Sequence, residues 1–164
     1  MKIRNKKSEY KPIRVVGKNK YIISWDFQPL YKNGKETNLG IWEEYCFYHK
    51  PDISEIRTLI NNYYNSIVDE NILKGYKWNG FDIWLSSENQ FNYKAAYDIA
   101  VQTNGSNLPI KFKFGNNDTP QYYVFNDLED LKSFYMGAIE HIQNELNQGW
   151  NKKDAIKWQE YENK

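Results

Sequence analysis

Apolar residues in the first third of the chain are grouped as they are in β-strands. Two runs, 21–27 and 41–48, are rich in aromatic and β-branched side chains. The segment between them carries Pro29 and the pair Asn33-Gly34, which is typical of a turn. We therefore predict an early β-meander in this part of the chain.

A helical spacing begins after Pro51. Asp52 or Ser54 is placed to cap the first turn, and apolar residues then recur at intervals of three and four. They form one stripe of a helix: Ile56, Leu59, Ile60, Tyr63, Tyr64 and Ile67. We predict a helix that runs to about Leu73 and is stopped by Gly75.

The segment Tyr76–Trp84 has the pattern of a β-hairpin. Asn79-Gly80 lies between two apolar runs and suits a two-residue type I′ turn, whose positive φ angles these two residues tolerate. The turn sets a register that pairs Trp78 with Phe81, Lys77 with Asp82 and Tyr76 with Ile83. We therefore expect aromatic side chains on one face of the hairpin and an ion pair on the other.

A second helix and a second hairpin follow. Ser87 and Gln90 match a capping box, in which each side chain satisfies one unpaired backbone N–H at the helix start. The helix is predicted to end at 104–107 and to bury Phe91, Ala95, Ala96, Ala100 and Val101. The alternating run 110–114 is predicted to pair with 121–125 through the loop Gly115–Pro120.

The last long helix is predicted to start within Asn126–Glu129. Its apolar stripe comprises Leu128, Leu131, Phe134, Tyr135, Ala138, Ile139, Ile142 and Leu146. Gly149 stands where a helix-ending glycine is common, so we predict a stop there and a short terminal helix from Asn151. The order of elements predicts an α+β fold of antiparallel hairpins and a meander, with three main helices and a short C-terminal helix.

Composition places the chain among globular proteins. Its 164 residues fit one domain, or one domain with a small appendage. No apolar run approaches the roughly 18 residues of a membrane span and no signal-peptide pattern opens the chain, so we expect a soluble, uncleaved protein. Cys46 is the only cysteine, which excludes an internally disulfide-bonded secreted scaffold and favours synthesis in the cytoplasm.

The net charge of +1 conceals an asymmetry. Residues 1–20 carry eight basic side chains and one acidic side chain, a net charge of +7, whereas residues 21–164 carry 14 basic and 20 acidic, a net charge of −6. The first segment is either a solvated tail or an arm that docks on nucleic acid or on an acidic neighbouring subunit. The candidate contact residues of this arm are Lys2, Arg4, Lys6, Lys7 and Lys11.

Residues suited to catalysis or metal binding are scarce. His49 follows Cys46 by three positions, but a structural zinc needs about four ligands, and a strand would place the two side chains on opposite faces. His141 is expected to form a surface ion pair with Glu145. No phosphate loop or nucleophile elbow is found. We assign no catalytic residue, metal or cofactor, and expect a protein that is not an enzyme.

Aromatic side chains are abundant, with six tryptophans and fourteen tyrosines. Most of them are expected to pack in the core or on edge strands, and the others to serve protein interfaces or to stack on nucleic-acid bases or sugar rings. Trp150, Trp158 and Tyr161 are the candidate partner anchors, with packing against the protein's own core as the alternative.

The segment Gly75–Gly80, followed by Trp84–Tyr93, resembles an uncharacterised domain family of bacteriophages and prophages that is associated with tail-fibre and tail-fibre-assembly proteins. The resemblance covers about residues 52–160 and rests on a glycine-aromatic hairpin, a polar helix start and an alanine-rich helix. It implies a structural or assembly role without a cofactor and no catalytic residues. The matched residues are interpreted as structural: Trp78, Asn79, Gly80, Trp84, Ser87, Gln90 and Asn92.

These observations lead to one main hypothesis and one alternative. The chain is predicted to comprise a basic N-terminal arm (1–14), a β-meander region (15–50) and an α+β phage-type domain (51–164). We expect a bacteriophage tail or virion protein that acts through protein–protein contacts with other virion proteins or with copies of itself, and that is located in the virion. The alternative is a nucleic-acid-binding phage accessory protein that uses the basic arm and exposed aromatic residues.

Overall fold

The computed structural model describes residues 1–115 and 118–162. The strands are β1 (Lys2–Lys6), β2 (Ile13–Val16), β3 (Lys20–Lys32), β4 (Lys35–Phe47), β5 (Tyr76–Trp78), β6 (Phe81–Ile83), β7 (Ile110–Gly115) and β8 (Pro120–Phe125). The helices are α1 (Ile53–Gly75), α2 (Ser87–Gln102), α3 (Leu128–Asp154) and α4 (Gln159–Glu162). The fold is α+β with antiparallel sheets, as the sequence predicts. Residues 116–117 of the predicted loop and residues 163–164 lie outside the described residues.

The chain forms two compact units. The first comprises Met1–Tyr63 together with Ala155–Lys164, and the second comprises Tyr64–Asp154. This division differs from the predicted ranges 1–14, 15–50 and 51–164. The reason is that the N-terminal residues and the residues after α3 both pack with the sheet formed by β3 and β4.

The first unit contains a four-stranded antiparallel sheet in the order β1-β4-β3-β2. Strands β2, β3 and β4 form a meander, and Asn33 and Gly34 have the positive φ angles of its tight turn, 52° and 74°. The prediction of an N-terminal arm is wrong, because β1 pairs with β4 from Lys2↔Glu43 to Lys6↔Leu39. The long strand β4 presents backbone donors and acceptors on the side away from β3, and β1 satisfies part of that edge.

The hairpin of β3 and β4 is bent at two interruptions of its register. They lie between Trp25 and Gln28 and after Pro29, where a missing N–H is tolerated. Gly40 is buried opposite the bend, and a Cβ atom there would lie 2.4 Å from Cε2 of Phe27. The absence of a side chain at Gly40 therefore allows the Phe27 ring to lie on the strand backbone.

The core of the first unit combines the sheet with residues from α1 and α4. Its apolar residues are Ile13, Ile23, Trp25, Trp42, Ile56, Ile60 and Tyr161. A polar network accompanies them: Trp42 Nε1 donates to Glu44 Oε1 at 2.8 Å, and Arg14 and Ser24 also donate to this carboxylate. The carboxylate is thereby paired although little of it is exposed.

The second unit has an aromatic core beneath two hairpins. The pairing of β5 with β6 is the predicted one throughout, and Asn79 and Gly80 have the positive φ angles of the predicted turn, 47° and 82°. Strand β7 pairs with β8 from Ile110↔Phe125 to Gly115↔Pro120, as predicted. Phe134 of α3 lies at the centre of the cluster, in ring contact with Tyr76, Trp78, Tyr93, Phe112, Phe114 and Phe125.

The start of α1 is capped as predicted, and that of α2 is shifted by one residue. Asp52 Oδ1 accepts from the Glu55 backbone N–H at 2.8 Å, and the Glu55 carboxylate accepts from the Asp52 backbone N–H at 2.9 Å. In α2 the cap is Ser86, whose hydroxyl accepts from the Asn89 N–H at 3.2 Å. Ser87 is therefore an exposed residue of the first turn rather than the cap.

The buried face of α2 also differs from the predicted stripe. Phe91 is 70% exposed and Val101 is 48% exposed, whereas Tyr93 and Ala100 are buried. Packing of the Tyr93 ring against Phe112 and Phe134 determines which face turns inward. In α1 the same kind of change leaves Ile67 exposed and buries Val68.

Helix α3 is longer than predicted. It has the predicted apolar stripe and an Asp127 side chain that accepts from the Asp130 N–H at 2.8 Å, but it continues through Gly149 to Asp154. Gly149 is buried, and a Cβ there would lie 2.3 Å from Cγ2 of Val68. The glycine allows close approach of two helices instead of ending one, so the predicted terminal helix from Asn151 is replaced by the end of α3 and the short α4.

Candidate interaction surfaces

The basic residues near the N-terminus lie on an edge strand of the sheet. Lys2, Arg4 and Lys6 alternate along β1, are exposed, and have no acidic partner within hydrogen-bonding distance among the described residues. Lys7 forms an ion pair with Glu36. Lys11 is exposed between the 3-10 turn Lys7–Glu9 and β2. Charged side chains on an edge strand oppose unspecific pairing with another sheet edge, which gives the basic segment a structural role of its own.

The three candidate anchors near the C-terminus have different environments. Trp150, near the end of α3, is 51% exposed. Trp158 is half-buried, with the Arg57 guanidinium 5.2 Å from its ring centroid. Tyr161 is buried and its hydroxyl donates to the Ser24 carbonyl at 2.7 Å. For Tyr161 the structure agrees with the alternative of packing against the protein's own core and not with a partner contact, because its side chain is buried in the core of the first unit.

The residues of the hairpin motif have structural positions. Trp78 is part of the core, Asn79 and Gly80 form the turn, and Asn92 is exposed on α2. The Gln90 side chain donates to the Leu85 carbonyl at 2.8 Å, which holds the helix start against the preceding strand. Trp84 is the exception, since it is 46% exposed at the surface.

The histidines and the cysteine do not meet in one site. Cys46 is half-buried on β4, and His49 contacts Glu55 at 2.9 Å. His141 makes no ion pair with Glu145; its ring stacks on Tyr76 and its Nε2 lies 3.1 Å from the Asn71 carbonyl. Within residues 1–115 and 118–162 there is no group of three or more His, Cys, Asp or Glu side chains that would hold a metal ion.

A partly exposed apolar row crosses three strands of the first unit. We define the aromatic row as Val15, Tyr21, Tyr45 and Phe47. Val15 is paired with Tyr21 and Tyr21 with Phe47, so the three share one face of the sheet. Tyr45 lies two residues before Phe47 on the same face, with its ring centroid 4.9 Å away. Val15 is 56% and Tyr45 is 48% exposed.

A groove of about 400 Å³ lies beside the aromatic row. Tyr45, Phe47 and Leu59 form its apolar lining, and the polar lining at the start of α1 comes from Asp52, Ser54, Glu55 and Thr58. The pKa of Glu55 is lowered because its carboxylate accepts from the Asp52 N–H, with a further contribution from the bond with His49. The groove therefore has an aromatic floor and an anionic rim at neutral pH.

A larger cleft of about 830 Å³ lies between the hairpins of the second unit. Its lining residues are Lys74, Lys77, Asp82, Ile83, Trp84, Gly115, Thr119 and Gln121. Lys77 and Asp82 form the predicted cross-strand ion pair at 2.6 Å. Lys74 is paired with Glu70 one helical turn earlier, at 2.9 Å. The cleft thus combines an exposed indole with charged groups that already have partners.

Neither the groove nor the cleft is identified by the sequence reasoning. A signal for the cleft was present, since the hairpin register places Lys77 and Asp82 on the outer face and Trp84 two residues beyond Asp82. A signal for the aromatic row was absent, because the row depends on the pairing of three separate strands.

Comparisons of the chain with protein-family models, curated proteins and solved structures gave no match. Within the described residues, no helix has the length and apolar character needed to cross a membrane.

Proposed function

We propose that this protein is a structural or assembly component of a bacteriophage tail or virion, and that it acts through contacts with other virion proteins and with copies of itself. The resemblance of residues 52–160 to a phage domain family suggests the setting. The observation that carries the proposal is the aromatic row with its acid-rimmed groove. An exposed tyrosine beside a groove, here Tyr45, is typical of protein interfaces, because it buries a large rigid surface at low entropic cost.

The groove has a complementary partner within the same chain. Its rim carries the Asp52 and Glu55 carboxylates, whereas the exposed strand β1 carries Lys2, Arg4 and Lys6 without acidic partners among the described residues. Contact of β1 of one copy with the groove of the next copy joins two different surfaces. Such a head-to-tail contact forms rings when its rotation closes, which suits a component of a tail or its spike.

The charged and apolar parts of this contact are expected to act differently. Exposed charges contribute mainly to the association rate and are screened by salt, with a Debye length of about 10 Å at 0.1 M. Burial of Val15 and Tyr45 is not screened. The contribution of β1 to self-association should therefore weaken as the salt concentration rises. The contribution of the aromatic row should be the same at every salt concentration.

The proposal is tested with variants on each surface. Val15→Lys/Tyr45→Lys alters the aromatic row, and Lys2→Ser/Arg4→Ser/Lys6→Ser alters β1. Tyr31→Lys is the matched control, because Tyr31 is 62% exposed on the same sheet and lies outside the row. The row variant should lose about tenfold or more in self-association, measured by sedimentation at about 50 mM and 300 mM salt, and the β1 variant should lose it mainly at low salt.

Incorporation into particles provides the second measurement. Mass spectrometry of purified virions and of tail assembly intermediates should detect the parent protein and the Tyr31→Lys control, and much less of the row variant. Absence of the parent protein from both preparations would contradict the proposal. Unchanged assembly of all variants, together with single-stranded DNA binding that is lost in the β1 variant, would favour the nucleic-acid alternative, which the exposed Lys2, Arg4 and Lys6 would serve.

A further inference from the structure

We infer that the cleft between the two hairpins of the second unit is a saccharide-binding site, with Trp84 as the platform for a sugar ring. This inference goes beyond the proposed function and uses none of the surfaces on which that function rests. It is carried by the juxtaposition of an exposed tryptophan, projecting from a hydrogen-bonded backbone, with the polar side chains of the cleft.

The backbone that carries the exposed Trp84 is held by hydrogen bonds. Its carbonyl accepts from Nδ2 of Asn89 at 2.8 Å. The next residue, Leu85, is buried, and its N–H donates to the Leu73 carbonyl at 3.0 Å while its carbonyl accepts from Gln90. Hydrogen bonds to the end of α1 and the start of α2 therefore hold the backbone of this segment on both sides, which fixes the position from which the indole projects.

The aromatic core lies immediately behind this side chain, yet Trp84 is not part of it. Ile83 and Leu85 on either side are both buried, so strand alternation turns Trp84 outward into the cleft. An exposed indole face offers a flat apolar surface for the C–H groups of a pyranose ring. Its N–H provides one hydrogen-bond donor at the edge.

The polar groups of the cleft both donate and accept hydrogen bonds. Asp82 accepts, Lys77 donates, and the Gln121 amide does both. Sugar hydroxyls also do both, and vicinal hydroxyls suit planar carboxylate and amide groups. The volume of about 830 Å³ lies in the usual range of small-ligand sites and accommodates an oligosaccharide of a few residues.

The charges of the cleft argue against a phosphate-bearing ligand. Lys77 is paired with Asp82 and Lys74 with Glu70, so a phosphate would have to compete with a carboxylate for each of these cations. A nucleotide that stacked on Trp84 would bring its negative charge next to the Asp82 carboxylate. A neutral polyhydroxylated ligand meets the same groups without this repulsion.

The test uses the full chain and defined probes. Binding of a panel of bacterial surface glycans on a printed array is measured first, together with chitotetraose, cellotetraose and maltotetraose in solution by calorimetry. A (dT)12 oligonucleotide serves as the nucleic-acid probe. We expect at least one saccharide to bind, and Trp84→Ala to weaken that binding about tenfold or more, because stacking on the platform is lost.

Two further variants separate the site from general effects. Trp150→Ala is the matched control, because Trp150 is 51% exposed and lies on α3 outside the cleft, and it should leave binding unchanged. Gln121→Ala should weaken binding with an unchanged urea midpoint, which shows that the loss does not come from unfolding. Failure of every saccharide to bind, equal loss in Trp84→Ala and Trp150→Ala, or binding of (dT)12 alone would overturn the inference.

These outcomes are independent of the proposed function. Sedimentation of Trp84→Ala should match the parent protein, since Trp84 belongs neither to β1 nor to the aromatic row. A chain that assembles but binds no saccharide disproves only the site. A chain that binds saccharide through Trp84 but does not assemble or enter virions disproves only the proposed role.

Discussion

At the scale of single residues, two glycines in α3 determine how closely its neighbours approach. A Cβ atom at Gly137 would lie 2.5 Å from the Tyr76 hydroxyl, and one at Gly149 would lie 2.3 Å from Val68 Cγ2. Glycine within a helix costs about 1 kcal/mol relative to alanine. The close packing that it permits offsets this cost, which is why α3 does not end at Gly149.

We predict that Gly149→Ala destabilises the protein although alanine is the better helix former. The added methyl group overlaps Val68, and overpacking of this kind costs about 1–3 kcal/mol, which exceeds the gain in helix propensity. Val68→Ala alone should also destabilise by leaving a cavity. The free energy of unfolding, measured by urea titration, should recover in the double variant to a value above that expected from adding the two single effects.

That double-mutant cycle also tests the end of α3. If the helix ended at Gly149, alanine there would not approach Val68, and the two substitutions would be additive. Additive effects within about 0.5 kcal/mol would contradict the close approach of Gly149 to Val68.

At the scale of elements, the β5–β6 hairpin depends on its turn. Gly80 has a φ of 82°, and the space around a Cβ atom there is empty within 4 Å. A substitution at Gly80 therefore meets no steric neighbour, and its cost reports the backbone conformation alone. Burial of Tyr76, Trp78 and Ile83 on one face also sets the register of these two strands, so the turn accounts for one part of the stability of the hairpin.

We predict that Gly80→Val lowers the free energy of unfolding by about 1–3 kcal/mol, because a β-branched residue is strained at positive φ. Gly80→Asn is the control, since asparagine tolerates the left-handed region, and it should cost clearly less. Urea unfolding of the three proteins measures the difference. Equal midpoints for the valine variant and the parent protein would show that the type I′ turn does not contribute to stability.

At the scale of the molecule, each unit has its own core, and the core of the second unit contains ionisable aromatic residues. Burial raises the pKa of Tyr76 to about 12 and the pKa of Tyr93 to about 12. In the unfolded chain these hydroxyls titrate near pH 10. The folded state therefore favours the protonated hydroxyls. Their contribution to the free energy of unfolding is fully present below about pH 10 and is lost as the pH rises towards 12.

We predict a decline in the urea midpoint between about pH 10 and pH 12, accompanied by a late rise in tyrosinate absorbance at 295 nm. Tyr93→Phe should reduce this decline, because phenylalanine has no proton to lose. Tyr31→Phe is the control, since Tyr31 is 62% exposed and lies outside the core of the second unit. An identical alkaline decline in the parent protein and in Tyr93→Phe would show that Tyr93 does not titrate with unfolding.

Much of the secondary structure follows from local sequence. The sequence predicts the Asn79-Gly80 turn, the strand alternation of residues 110–114, a cap at Asp52 or Ser54 and the apolar stripe of α3. The structure contains each of them, with Asp52 as the cap. These features depend on backbone preferences and side-chain periodicity within a few residues, which are present in the sequence itself. The α+β class follows from their order.

Tertiary structure decided the features that depend on distant partners. Strand β1 belongs to the sheet because β4, more than thirty residues later, offers it an edge, and Tyr161 is buried because the Ser24 carbonyl accepts its hydroxyl. The aromatic row exists only where three strands are in register. The local sequence predicts that a helix ends at Gly149, but the close packing of Gly149 against Val68 keeps this residue within α3. In each case a contact between residues distant in sequence stabilises the observed conformation. Local propensities contribute about 1 kcal/mol or less per residue and do not reflect such contacts.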